Sequence, residues 1–146
     1  MGLRVTKVTR KNEKDATLFA DREWSKWIKA KGYDHDIEKH AFVAYKDNDI
    51  VGYASMKISG GAAYLSQLIV LDEARGNGVG TLLIKEFEAC AMHNKCHVAY
   101  LETHERNVEA LSLYKNNGYS VVAKLKNNRF HFTWYFLSKR ISSNAI

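Results

Sequence analysis

Residues 66–83, SQLIVLDEARGNGVGTLL, hold residue types whose spacing suits binding of a phosphate or pyrophosphate. A strongly apolar run, Leu68-Ile69-Val70-Leu71, ends at Asp72-Glu73, and the loop Arg75-Gly76-Asn77-Gly78-Val79-Gly80 follows before a helical pattern begins at Val79-Gly80-Thr81. At a helix start several backbone N–H groups point outward unpaired, and the helix dipole adds partial positive charge there. Glycines let that backbone approach an anion closely.

Two familiar phosphate loops fit poorly. A P-loop ends in Gly-Lys-Ser/Thr, whereas Gly80 is followed directly by Thr81 with no lysine. A dinucleotide fingerprint requires G-x-G-x-x-G, whereas this loop runs Gly76-x-Gly78-x-Gly80.

The elements that must position the loop can be read from periodicity and turn residues. Alternation in Leu3-Arg4-Val5-Thr6-Lys7-Val8 predicts a first strand. The same start, Met1-Gly2, formally matches a myristoylation pattern, which short sequences meet by chance. Ala16, Phe19, Ala20, Trp24, Trp27 and Ile28 fall at helical spacing over 13–30, with Gly32 ending the helix and the two tryptophans expected in the core. A polar loop, 33–39, carries Asp34, His35, Asp36 and Glu38, and its acids could attract a cation or be merely solvated.

Strands are predicted over 41–45, 50–58 and 62–71, turning at Asp47-Asn48-Asp49 and Gly60-Gly61. The helix after the glycine loop places Val79, Leu82, Leu83, Phe87, Cys90 and Ala91 on its apolar side. A strand over 98–103, a helix from Val108 capped by Asn107 and closed by Gly118, and strands over 119–125 and 131–138 complete the chain. His40 and His131 start strands in this reading, and the tail from Ser142 is expected to fray. The fold class is α/β with a mixed sheet.

At 146 residues without proline, linker or repeat, the chain is expected to form one domain, 1–146. No apolar run approaches the ~18 residues of a membrane span, and the N-terminus has no secretory apolar core, so cytosol is the expected compartment. The net charge of +6 favours anionic partners, but the basic residues are scattered, with no lysine/arginine tract for nucleic acid. Cys90 and Cys96 lie near His93 and His97. One short segment cannot easily aim all four at one point, so no metal site is expected. Two free thiols suit a reducing compartment.

Arg75-x-x-Gly78-x-Gly80 after an apolar strand resembles the acyl-CoA signature of the GNAT N-acetyltransferase superfamily. A second block, Asn107-x-x-Ala110-x-x-Leu113-Tyr114-x-x-x-Gly118-Tyr119, resembles that superfamily's second cofactor segment, and the element order is similar over nearly the whole chain. The resemblance implies a mostly antiparallel mixed sheet with splayed central parallel strands flanked by helices. It implies acetyl-CoA as donor, with CoA as product. Amides of Arg75, Gly76, Asn77, Gly78, Val79, Gly80 and Thr81 would hold the pyrophosphate, while the backbone of Leu68, Ile69 and Val70 would pair with the pantetheine. Asn107 would cap its helix and bond the cofactor, and Tyr114 would protonate the leaving thiolate.

The expected partner is an amine on a small molecule or peptide, with no nucleic acid or membrane. An ammonium of pKa ~10.4 is under ~0.1% neutral at pH 7, and one near 8 is roughly 10% neutral, so a base is needed. Glu102 is that base in the resemblance, since Leu101 to Asn107 is similar to the segment of Rim-type peptide N-terminal acetyltransferases; His104, Glu105 or water are alternatives. The end of the chain, Asn127-Asn128-Arg129-Phe130-His131-Phe132-Thr133-Trp134-Tyr135, departs from the acidic-aromatic hairpin of Rim-type relatives. A non-catalytic acyl-CoA-binding module is the reading from another class, and a homodimer through the last strands is left open.

Overall fold

The structure, a computed structural model, describes residues 2–33 and 36–142. Asp34 and His35 of the polar loop and the tail after Ser142 lie outside the described residues. The chain divides into two compact units, Met1–His35 and Asp36–Ile146.

In the first unit, α1 spans Glu13–Lys31. Glu13 and Asp15 in its first turn and Lys29 and Lys31 in its last complement the helix dipole. It ends at Gly32, whose φ of 78° is the left-handed conformation that closes helices. Two expectations fail here. Residues 2–9 form no strand, and Leu3 and Val5 are fully exposed. Alternation marks a segment able to pair, but a strand has no hydrogen bonds of its own and needs a neighbour. Trp24 and Trp27 are not core residues, because α1 buries no side chain. Their rings instead meet edge to face, 5.6 Å apart, and Trp27 packs likewise on Tyr33.

The second unit is built on a six-stranded sheet of order β1-β2-β3-β4-β6-β5. The strands are β1 Glu38–Lys46, β2 Asp49–Ser59, β3 Ala62–Val70, β4 Val98–His104, β5 Ser120–Leu125 and β6 Trp134–Arg140. Helix α2, Val79–His93, joins β3 to β4, and α3, Val108–Asn116, joins β4 to β5. Phe87, Met56, Ile84, Leu101 and Leu137 are its largest fully buried side chains. Each contributes about 1.5–3 kcal/mol by leaving water. On α2 the buried stripe is Leu83, Ile84, Phe87, Glu88 and Ala91, with Leu82 exposed instead of inside.

Two irregularities in the sheet create the site. β3 and β4 run parallel but register over only three pairs, the last being Tyr64 with Tyr100, after which the strands part. Just beyond, β3 slips against β2: Met56 faces Leu65, Ser55 faces Gln67, and Ser66 is extra. An extra residue reverses the in-out alternation. Ala63 and Leu65 are buried before it, whereas Leu68 and Val70 pack on the core after it and Ile69 turns out.

The last strand starts three residues later than predicted. Residues 129–131 form a 3-10 turn in which Phe130 and His131 have φ of 59° and 60°, which ends any extended run through His131.

Candidate active site

α2 begins without the side-chain cap most helices have. Its N-cap is Gly78, whose φ of 80° few other residues adopt, and no side chain caps the first-turn amides. The first intrahelical bond runs from Leu82 N to Gly78 O, so the amides of Val79, Gly80 and Thr81 precede the helix's own ladder. No acidic residue lies in that turn. Gly76 has the same left-handed backbone, with φ 81°. Gly80 serves a different purpose: a Cβ there would stand 2.9 Å from Leu113 Cδ2, so its absence lets α2 and α3 approach.

These amides border a cleft of about 400 Å³ lined by Leu68, Ile69, Val70, Ala74, Arg75, Gly76, Gly78, Val79, Gly80, Thr81, Asn107, Glu109, Ala110, Leu113 and Tyr114. Of the predicted cofactor residues only Asn77 is not among them; its side-chain amide donates to Ala74 O at 3.4 Å. Arg75 is held at the rim, donating to Val70 O at 3.3 Å and pairing with Asp72 at 3.0 Å and Glu109 at 3.5 Å. Asn107 caps α3, its Oδ1 accepting from Ala110 N at 3.3 Å.

Tyr114 enters the cleft from α3 and is buried. Among the described residues its hydroxyl has no hydrogen-bond partner, and burial pushes its pKa up to about 12. The phenol therefore stays protonated far above neutral pH. Tyr119 is raised too, by burial and by the Glu88 carboxylate that accepts from its hydroxyl at 3.1 Å.

Both phenols are held neutral in the fold, so their contribution is complete below pH ~10 and is lost as pH climbs through the folded values. For Tyr114 the shift corresponds to about 2–3 kcal/mol. Urea midpoints should hold steady to pH 9.5 and then fall steeply toward pH 11.5. In Tyr114→Phe that fall should be shallower; an equally steep fall would contradict the assignment.

Glu102 lies outside the cleft lining. Ala99, Leu101 and Thr103 of β4 are buried, and Ala99 and Leu101 join the core cluster that includes Leu83, Ile84 and Phe87 of α2. Glu102 therefore faces the opposite side of the sheet. Its Oε1 accepts from Tyr64 Oη at 3.1 Å and from Arg129 Nη2 at 3.0 Å. The Tyr64 phenol is raised by burial and then by this carboxylate. Glu102 lies two residues past Tyr100, just beyond the last pair of β3 with β4. Of the alternative bases, His104 packs its ring 5.1 Å from both Phe132 and Trp134, with Nδ1 enclosed and unpartnered among the described residues. Glu105 is exposed in the turn after β4.

Residues 7–119 match the sequence profile of the Acetyltransferase (GNAT) family. The chain belongs to the GNAT family.

It is 29% identical over 99 residues to the uncharacterized N-acetyltransferase YobR of Bacillus subtilis, covering 64% of this chain and 40% of that protein. It is 31% identical over 104 residues to an N-alpha-acetyltransferase of Sulfurisphaera tokodaii, covering 62% of each. The chain thus spans less than two thirds of the length of these relatives. An acetyltransferase crystal structure from Bacillus cereus superposes with a TM-score of 0.78 at 18% identity, over 94% of this chain and 97% of that one, a likeness of fold.

Four cleft residues of this GNAT chain were not among those expected: Ala74, Glu109, Ala110 and Leu113. Ala110 and Leu113 recur three residues apart from the Asn107 cap, so a helical-face reading of the second block would have found them. Glu109 and Ala74 carry no such signal. The partners of Glu102, Tyr64 and Arg129, are 38 and 27 residues away in sequence, beyond the reach of any local pattern.

Proposed function

We propose that this protein is an N-acetyltransferase that moves an acetyl group from acetyl-CoA to a primary amine of a small molecule or peptide, by direct attack in a ternary complex. One observation carries the reading: an uncapped helix start and a buried tyrosine, whose hydroxyl has no hydrogen-bond partner among the described residues, line the same cleft. An anion fits the first and a developing thiolate the second. Acetyl-CoA, when bound, supplies an activated thioester.

In this reading the amides of Gly78 to Thr81 and the Arg75 rim receive the pyrophosphate, each charge-assisted bond contributing about 1.5–3 kcal/mol. Leu68 to Val70, parted from β4, offer backbone to the pantetheine arm. Glu102, directly or through water, takes the proton from the attacking ammonium. The amine nitrogen bonds the carbonyl carbon and then loses its second proton to water as the carbon–sulfur bond breaks, and Tyr114 gives its proton to the sulfur and regains one from solvent. The family and the name of the Sulfurisphaera relative support an amine acceptor.

The test is thiol release from acetyl-CoA with a panel of amino acids, polyamines, aminoglycosides and short peptides. Turnover with at least one amine is expected. Tight CoA binding without turnover on any would instead favour a non-catalytic acyl-CoA module. In a separate calorimetric titration Gly78→Val should weaken CoA binding at least tenfold, because a β-branched residue resists φ near 80° and its side chain enters the phosphate's place. Undiminished CoA affinity in that variant would remove the loop from the binding site.

A further inference from the structure

The Glu102–Arg129 pair lies on the sheet face away from the cleft, at the mouth of the opening between β3 and β4. Arg129 is fixed with unusual care for a loop residue. Its guanidinium lies 3.9 Å over the Trp134 ring, its carbonyl accepts from Trp134 Nε1 at 3.0 Å, and its amide donates to Asn128 Oδ1 at 2.8 Å. The loop around it holds three non-glycine residues, Asn127, Phe130 and His131, at positive φ. Such backbone costs on the order of 1–3 kcal/mol per residue and persists where the surroundings enforce it. His131 and Asn127 close the loop with a 3.0 Å contact between Nδ1 and Oδ1.

What this strain holds in place is a pair with its outer edges unused. Only Oε1 of Glu102 is engaged, by Tyr64 and Arg129, and among the described residues Oε2 accepts from nothing. Arg129 commits only Nη2, leaving N–H groups on Nη1 and Nε, and its side chain is 56% exposed. A negative and a positive edge thus lie side by side on one ion pair. An α-amino acid carries its ammonium and its carboxylate on the same carbon, so a single small molecule presents both charges together. A bound zwitterion would place its ammonium on Glu102 and its carboxylate on Arg129, with opposite charges facing on both edges. A polyamine would gain only one of the two contacts, and its second positive charge would meet the guanidinium. Tyr64 and Trp134 place aromatic rings against the pair, and the Tyr64 and Tyr100 rings lie 5.0 Å apart.

We infer that Arg129 is the specificity-determining residue of the acceptor site, and that the acceptor is a free α-amino acid recognised through its carboxylate. This rests on the acetyltransfer reading above. The reaction is unchanged: the α-nitrogen bonds the acetyl carbon, the thiolate leaves, Glu102 takes the amine proton and Tyr114 protonates the sulfur.

The experiment compares pH-independent kcat/KM for L-phenylalanine, L-phenylalaninamide, phenethylamine and 1,4-diaminobutane in the wild-type protein, Arg129→Gln and Arg129→Lys. The first three share an aromatic side chain and differ at the carboxylate, and pH-independent values remove their differing amine pKa values. L-Phenylalanine should exceed phenethylamine by about 10- to 100-fold in wild type, the range of one charge-assisted hydrogen bond. The ratio should collapse toward one in Arg129→Gln and return in part in Arg129→Lys. L-Phenylalaninamide, which imitates a peptide N-terminus, should lie near phenethylamine. A wild-type preference for the amide, phenethylamine or diamine would overturn the inference and leave acetyltransfer standing, as would an equal ratio in wild type and Arg129→Gln. Absence of turnover with all four would overturn it too, and the wider amine panel then decides acetyltransfer separately. The wild-type ratio needs no variant, so a misfolded Arg129→Gln does not shield the idea.

Discussion

Tyr114→Phe is expected to lower kcat by about 100-fold, the lower end of what a positioned proton donor contributes, while CoA affinity and the thermal midpoint stay close to wild type. The split follows from the surroundings of the hydroxyl. The ring is buried and packs 6.2 Å from Tyr119, contacts phenylalanine retains. The hydroxyl has no partner among the described residues, so its removal orphans no buried group. The one thing lost is a proton donor aimed into the cleft. With a pKa near 12 that donor stays protonated across the range in which amines lose their protons. Wild-type kcat/KM should therefore rise with the acceptor's deprotonation and show no falling limb up to pH 10. Steady-state thiol release, with calorimetric titration of CoA, measures both quantities. An unchanged kcat would remove Tyr114 as the acid, and a parallel loss of CoA affinity would make it a binding residue.

Lys139→Met is expected to cost about 3–5 kcal/mol of stability, the range for breaking a buried ion pair. Glu88 sits on the buried face of α2 with 11% of its side chain exposed, receiving Lys139 Nζ at 2.9 and 3.0 Å and Tyr119 Oη at 3.1 Å. Losing the ammonium strands that carboxylate with a single phenol donor. Glu88→Gln should cost less, since the amide oxygen still accepts from Tyr119 and Lys139, 31% exposed, can turn to water. The double change Glu88→Leu with Lys139→Met should recover much of the single loss, because neither member remains unpaired. For a domain whose total stability is about 5–15 kcal/mol, the single change is severe. Urea midpoints of the three variants test the order. A Lys139→Met midpoint equal to wild type would show that the pair contributes nothing. The triad ties α2, whose first turn borders the cleft, to β6, which carries the loop of Arg129 at its start.

The glycine loop and the second block were legible because their signals are local. Gly76 and Gly78 need left-handed backbone, Asn107 caps its own helix three residues on, and Tyr114 follows on the same helix. Such relations are fixed within a turn or two of chain, and residue type reports them directly. The strand over residues 3–8 was misread for the opposite reason: its alternation is local, but the hydrogen bonds that make a strand come from elsewhere. The tryptophans of α1 show the same limit, since periodicity marks an apolar face without saying what covers it.

By itself the sequence determined the family, the uncapped glycine turn and the tyrosine beside it, all written in short-range spacing. The tertiary structure alone decided that Ser66 flips β3, that Glu88 is buried against Lys139, and that Glu102 is met by Arg129. These partners lie 51 and 27 residues apart and meet only because β6 inserts beside β4. Sheet order sets which distant charges become neighbours, and no local pattern of residues encodes that distance.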